Sequence, residues 1–253
     1  MTRGLDVLFI GPTIEIPNMA VESKSFPVGA TPLPAVTIRA QAAGIQDIYR
    51  RQFTWAQVII AFLFVEGAVW AARLSVRSRW ALAAGAIVMV FALVDRPSLR
   101  RLGLGLPNAM GSSLMLGVGF TGAVLMLFLT RWAGGAVPAN PLFPNMHMAW
   151  QYMIWALVQE FMLQSFFFTR LEELFGSSTA VWVTATLFAG IHLPNMVLTT
   201  FTLIAGLFFC EMFRRYRSIY LLGIVHAVLG LTLSATIPAS LLYHLRVGIG
   251  FLR

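Results

Sequence analysis

Three polar side chains interrupt long apolar segments in the second half of the chain, and together they could activate a water molecule. Glu160, His192 and His226 lie within the segments LVQEFMLQSFFF, VWVTATLFAGIHLPNMVLTT and SIYLLGIVHAVLGLTL. Burying a carboxylate or an imidazole at membrane depth is unfavourable by several kcal/mol, so such residues usually face the interior of a helix bundle and serve a function. One carboxylate and two imidazoles are also typical of general acid–base catalysis. The pattern predicts one shared site in a membrane-embedded hydrolase.

The composition is that of a polytopic membrane protein. The chain is 58% hydrophobic and only 11% charged, with a mean hydropathy of +0.78, whereas soluble domains contain about 25% charged residues. The net charge of +8 comes almost entirely from arginine, and the arginines cluster at the ends of apolar segments. This placement indicates contact with the headgroups of membrane lipids rather than with nucleic acid. A single cysteine, Cys210, excludes an internal disulfide and a thiolate metal cluster.

The apolar segments predict an all-α transmembrane bundle of about seven spans, within a range of six to eight. About 20 apolar residues cross the hydrocarbon core, and small residues in the third span should let helices approach closely. The chain divides into an irregular N-terminal arm with an interfacial segment (1–50), accessory transmembrane helices (51–135) and a catalytic core (147–240). The predicted spans are 53–72, 80–95, 107–130, 147–169, 178–193, 196–213 and 218–236.

Each of the three polar residues also fits an ordinary structural role. Glu160 could be held neutral by a hydrogen bond to a neighbouring helix, His192 could cap a helix before Pro194, and His226 could bond across to another helix. Their grouping in one half of the chain, with few other buried polar residues, favours a shared site. A helix broken at Pro194 is tolerated at membrane depth mainly where it lines a cavity, and Asn195 could add a hydrogen-bond donor there.

Polar residues elsewhere in the apolar segments predict local roles. Glu66 has no obvious partner, and a structural role is the preferred interpretation for it. Glu211 lies close enough to Arg214 and Arg215 for a local ion pair. The tail contains a polar cluster, Tyr243 to Arg246, that either closes the bundle or lines the route by which a substrate enters.

Three motifs, in order and on separate predicted spans, resemble the CPBP family. They are QEFMLQ (159–164), FAGIH (188–192) and HAVLG (226–230), and the turn RLEELFG and the lead-in SIYLLGIVH are also similar to the family. The family comprises CAAX prenyl protease 2-like and bacteriocin-processing intramembrane proteases, with the pattern EExxxR, FxxxH and HxxxN/D. The resemblance covers roughly residues 147–232. It implies a glutamic intramembrane endopeptidase that acts on a peptide or protein within or at the membrane.

This chain departs from the family pattern at three positions. Gln159 replaces the first glutamate, Gln164 the arginine and Gly230 the final Asn or Asp. The family's first glutamate is usually given the water-activating role, and glutamine cannot accept a proton at neutral pH. Because neighbouring helical residues are about 100° apart, a modest rotation of the helix could bring Glu160 into that role. Otherwise the protein is a catalytically weak relative.

The leading hypothesis needs no cofactor. Glu160 acts as general base on water, His192 and His226 orient the water and stabilise the oxyanion, and Gln159, Gln164 or Asn195 give support. A runner-up makes Glu160, His192 and His226 the ligands of a catalytic zinc with one open position. A non-catalytic scaffold or immunity protein is the alternative that the changes at Gln159 and Gly230 favour. A transporter is a third interpretation. The expected location is a bacterial inner membrane.

Overall fold

The computed structural model describes residues 35–94, 97–136 and 146–253, and the helical elements of these ranges confirm the all-α prediction. Residues 1–34, most of the predicted N-terminal arm, and 137–145, in the Pro-rich connection, lie outside the described part. The second of two structural units covers Gln46–Arg253. The site and all contacts given below belong to the second unit.

Most of the predicted spans coincide with helices. The first predicted span begins near residue 53, but its helix already begins at Ala35. Arg39, Asp47, Arg50 and Arg51 interrupt the apolar residues of the earlier part, yet do not prevent it from being helical. The elements are α1 (Ala35–Trp70), α2 (Leu74–Val94), α3 (Ala109–Trp132), α4 (Met146–Glu160), a π-helix (Phe161–Phe168), α5 (Thr169–Phe175), α6 (Ser177–Gly190), α7 (Met196–Tyr216), α8 (Tyr220–Thr236) and α9 (Ala239–Leu242).

Fewer helices than predicted have the length and hydropathy of a single straight span. Within the described residues four qualify, Ala43–Trp70, Ser75–Val94, α3 and α7, and a fifth is counted if α8 and the tail helix, bent by 120°, are one span. The count of seven is therefore not confirmed. The difference arises because α6 has only 14 residues, and because the predicted fourth span is divided between α4 and the π-helix.

Glycines on α3 allow close packing, as the sequence predicts. A Cβ atom on Gly119 would lie 2.6 Å from the side chain of Val225 on α8, and one on Gly111 would lie 2.5 Å from Tyr216 on α7. Distances this short exclude any larger residue unless the neighbour moves. Gly117, by contrast, has no neighbour within 4 Å of such an atom. The close approach is therefore confined to one face of α3.

Buried polar contacts connect the N-terminal helices to the second half of the chain. Arg170 on α5 is buried; its Nε donates to Oε1 of Gln57 at 2.7 Å and a terminal nitrogen donates to the carbonyl of Phe91 at 2.9 Å. The hydroxyl of Ser165 donates to the carbonyl of Leu102 at 2.5 Å. Because buried polar groups are costly when unpaired, these bonds fix the π-helix and α5 against α1, α2 and the connector before α3.

Two acidic residues outside the site have the local roles that the sequence predicts. Glu66 accepts a hydrogen bond from the indole of Trp70 at 2.9 Å. Glu211 accepts from Arg214 at 2.7 Å and from Arg215 at 2.5 Å. Neither carboxylate lines the cavity described below.

Candidate active site

A π-helix positions the carboxylate of the site. Glu160 is the last residue of α4, and the wider helical turn begins at Phe161. The π-helix buries six consecutive residues, 163–168, and short π segments occur frequently at functional sites. Glu160 itself is completely buried, and its Oε2 accepts a hydrogen bond from Nε2 of Gln164 at 3.2 Å. Gln164 therefore supports Glu160 from one turn further along the chain.

The second carboxylate oxygen of Glu160 contacts His226. Its Oε1 lies 2.8 Å from Nδ1 of the imidazole, which comes from α8. With a carboxylate at Glu160 and a neutral imidazole at His226, Nδ1 carries the proton and Nε2 keeps its lone pair. The ring stacks on Phe209, with 5.3 Å between centroids and 21° between planes. The imidazole is thus fixed both in orientation and in tautomer.

His192 is fixed in the same tautomer by a different partner. It follows the end of α6, and its Nδ1 lies 2.7 Å from the carbonyl oxygen of Phe188. A carbonyl only accepts, so Nε2 is again the unprotonated nitrogen. The ring of Phe188 contacts both imidazoles, at centroid distances of 4.9 Å to His192 and 5.9 Å to His226. The two histidines therefore flank one aromatic ring.

Both imidazoles line a cavity of about 960 Å³. This volume is at the upper end of the range for ligand sites. The lining is mostly apolar and includes Gln159, Tyr152 and Gly230 together with the two histidines; among the described residues it contains no Asp or Glu. The cavity combines an apolar surface with a small number of polar side chains.

Gln159 lines the cavity, whereas Glu160 does not. The helix therefore keeps the position of the family's first glutamate towards the cavity, and the rotation considered in the sequence analysis is not observed. Glu160 is connected to the cavity through His226, whose side chain is 12% exposed. The structure brings the three predicted residues together, but the imidazole of His226 lies between the carboxylate of Glu160 and the cavity.

Asn195 has a positioning role in this arrangement. Its Nδ2 donates to the carbonyls of Leu242 at 2.9 Å and Arg246 at 3.1 Å, and its Oδ1 accepts from the backbone of Leu198 at 3.1 Å. Both donors are therefore engaged by the tail and the acceptor caps α7. The amide of Gly248 also donates to the carbonyl of Leu193, at 2.8 Å. Asn195 fixes the tail beside the loop of His192.

The tail also contributes to the cavity. Leu245, Arg246, Val247 and Arg253 line it together with Arg77 of α2. The tail therefore borders the cavity, and the two roles considered for its polar cluster, closing the bundle and lining substrate entry, stay predictions. The three arginines make one end of the cavity cationic.

The runner-up zinc set is not assembled as a group of metal ligands. Within the described residues, no group of three His, Cys, Asp or Glu side chains is arranged to hold a metal ion. Glu160 and His226 are hydrogen-bonded to each other through Nδ1, so a shared ion would have to separate this pair. Zinc at these three residues stays an untested alternative.

Tyr152 is a site residue that the sequence analysis missed. It lies on α4 and lines the cavity with Gln159. The two residues are seven positions apart, and residues two helical turns apart share a face. That spacing was a signal available in the sequence, whereas the contact of Tyr152 with Gly230 required the structure.

A family model supports the relationship that the motifs indicate. The model described as Rce1-like, type II CAAX prenyl endopeptidase, matches residues 141–232. No curated protein and no solved structure matches the chain. The matched range contains all three motifs and ends two residues after Gly230. The segment of this integral membrane protein that contains Glu160, His192 and His226 is therefore similar to the CPBP/CAAX protease family.

Proposed function

We propose that the protein is an intramembrane endopeptidase that hydrolyses a peptide bond in a membrane-associated peptide or protein. The observation that carries this proposal is the 2.8 Å hydrogen bond between buried Glu160 and His226, whose ring borders the large cavity. The family match to a prenyl endopeptidase supports the class of reaction. The apolar lining favours an apolar or lipidated segment as substrate.

In the proposed mechanism, His226 transfers the proton and Glu160 stabilises the charge. Nε2 of His226 takes a proton from water while the water oxygen attacks the carbonyl carbon of the scissile bond. The carboxylate of Glu160 stabilises the imidazolium that forms and holds its orientation, as a buried carboxylate does in other acid–base pairs. His226 then returns the proton to the amine as the C–N bond breaks.

His192 has a second function in this mechanism. Its unprotonated Nε2 accepts the other hydrogen of the water and so fixes the direction of attack. Proximity and orientation of this kind contribute substantially to rate. Glu160 thus remains the acidic group of the site, as in the leading hypothesis, but it acts through His226. We place the reaction in the inner membrane of a bacterium, consistent with the arginine-bounded apolar helices.

A second candidate is a catalytically weak membrane scaffold or immunity protein. The observation that favours it is that Gln159 lines the cavity at the position of the family's first glutamate. An amide there can donate and accept hydrogen bonds but cannot take a proton. In that case Gln159→Glu would restore activity, because a carboxylate would then border the cavity directly.

One cleavage assay separates the two candidates. Wild type, Glu160→Gln and Gln159→Glu are reconstituted in proteoliposomes with a library of lipidated and unlipidated peptides, with and without a chelator. Glu66→Gln is the matched control, because Glu66 is also an acidic residue in an apolar helix but lies outside the cavity.

The endopeptidase proposal expects cleavage by wild type and Glu66→Gln, and a loss of about 100-fold or more in Glu160→Gln. An inert wild type with an active Gln159→Glu would favour the scaffold instead. Inhibition by the chelator would show that the mechanism uses a metal ion and would contradict the metal-free proposal.

A further inference from the structure

Gly230 has an unusual neighbour. It follows His226 by one helical turn on α8, at the position where the CPBP pattern has Asn or Asp. A Cβ atom on Gly230 would lie 2.8 Å from Cζ of Tyr152 and still closer to the hydroxyl oxygen. Real Cβ atoms essentially never approach another heavy atom so closely. The tyrosine hydroxyl therefore occupies the space that a side chain at position 230 would fill.

This hydroxyl belongs to the same cavity as the two histidines. Tyr152, Gly230, His192 and His226 all line it. Among the residues that the structure describes, none forms a hydrogen bond with the Tyr152 hydroxyl. A tyrosine hydroxyl within an apolar lining normally has a hydrogen-bonding partner. Its donor is therefore available to a group bound in the cavity.

The two histidines do not themselves supply a hydrogen-bond donor to the cavity. Nδ1 of His226 donates to Glu160, and Nδ1 of His192 donates to the carbonyl of Phe188. In the resting site neither imidazole therefore presents an N–H to the cavity. Hydrolysis of a peptide bond passes through a tetrahedral oxyanion that needs preorganised donors. These donors must come from other groups of the lining.

We propose that Tyr152 is a catalytic residue whose hydroxyl donates a hydrogen bond to the oxyanion. The glycine at position 230 complements this role of Tyr152. Because Gly230 has no side chain, the Tyr152 hydroxyl from α4 can occupy the space that the family's Asn or Asp on α8 would fill. Gln159, on the same face of α4 as Tyr152, presents an amide to the cavity as a second donor. This inference rests on the proposed endopeptidase function.

The kinetic test compares Tyr152→Phe with Tyr216→Phe. The second variant is a matched control, since Tyr216 also packs over a glycine, Gly111, but lies outside the cavity. Loss of one oxyanion donor typically lowers kcat by about 10²- to 10³-fold, and we expect this for Tyr152→Phe with little change in KM. Tyr216→Phe should retain wild-type kcat.

A rescue variant separates chemistry from packing. Tyr152→Ala vacates the space beside Gly230, so Tyr152→Ala with Gly230→Asn places an amide donor there from α8. The double variant should recover at least about tenfold in kcat over Tyr152→Ala, because it restores a donor. A purely structural role for the tyrosine predicts no such recovery, since asparagine does not replace the volume of the ring.

A binding measurement does not depend on turnover. A peptidyl phosphinate mimics the tetrahedral oxyanion, and the parent peptide does not. Tyr152→Phe should bind the phosphinate about tenfold or more weakly than wild type does, with unchanged affinity for the parent peptide.

The outcomes distinguish this inference from the proposed function. Equal phosphinate affinity of wild type and Tyr152→Phe, or an unchanged kcat, would overturn the role of Tyr152 while leaving the endopeptidase proposal intact. A wild type that neither cleaves peptides nor binds the phosphinate would overturn both.

Discussion

Glu160 and His226 are 66 residues apart in the chain and form a 2.8 Å hydrogen bond between the end of α4 and the middle of α8. The bond fixes which nitrogen of the imidazole is available to the cavity. Because Glu160 is completely buried, its charge can influence a substrate mainly through this ring. The candidate site is therefore organised in two layers, with the carboxylate beneath the imidazole and the imidazole at the cavity wall.

Gln164 should increase activity by supporting Glu160. Its Nε2 donates to Oε2 of the carboxylate at 3.2 Å, and hydrogen bonds to charged groups contribute about 1.5–3 kcal/mol. Gln164→Leu keeps a similar volume but removes this donor, and we expect kcat to fall about tenfold or more. Steady-state kinetics in proteoliposomes would measure the change.

Ser165→Ala is the control for that variant. Ser165 is also buried in the π-helix, but its hydroxyl bonds to Leu102 rather than to the site. The Ser165→Ala variant should have lower thermal stability than wild type but the same kcat. If Gln164→Leu kept wild-type kcat while remaining folded, the supporting role assigned to Gln164 would be incorrect.

Asn195 should be important for stability rather than for chemistry. It makes three hydrogen bonds, two of them to the tail, and loss of buried partners costs about 1–3 kcal/mol each. Asn195→Ala should therefore lower the midpoint of thermal unfolding and expose the tail to proteolysis. Thr200→Ala, at an exposed position of α7, should do neither. Unchanged proteolysis of the tail in Asn195→Ala would argue against this clamp.

Packing of α3 against α8 should depend on Gly119 and not on Gly117, two residues earlier. Gly119→Val would overpack against Val225 on α8, whereas Gly117→Val meets no atom within 4 Å of its Cβ. Overpacking typically costs about 1–3 kcal/mol. Thermal unfolding in the same detergent should show a lower midpoint for Gly119→Val alone. Equal midpoints for the two variants would contradict the packing of α3 on α8.

The sequence selects candidate residues for a site, whereas their arrangement required the structure. Carboxylates and imidazoles at membrane depth are rare, so Glu160, His192 and His226 could be selected from burial cost alone. The relative depth of these residues could not be predicted, because rotating the helix by one residue position would exchange Gln159 and Glu160 at the cavity wall. The structure keeps Gln159 there and directs Glu160 to His226.

The sequence also predicted the presence of helices better than their exact ends. The second to seventh predicted spans correspond to helical runs because apolar length was informative for them. The start of α1 at Ala35 was missed because charged residues interrupt its first half, and hydropathy reports on membrane crossing rather than on helix formation. The π-helix after Glu160 depends on packing that no periodicity in FMLQSFFF reveals.

The most direct test of the account is a double-mutant comparison of peptide cleavage in proteoliposomes. Residues that act as a unit show strongly non-additive effects on kcat. Glu160→Gln and His226→Ala should each lower kcat by about 100-fold or more, and the combined variant should be no slower than His226→Ala alone. Independent effects that multiply in the combined variant, or a Glu160→Gln variant with wild-type kcat, would contradict the Glu160–His226 mechanism.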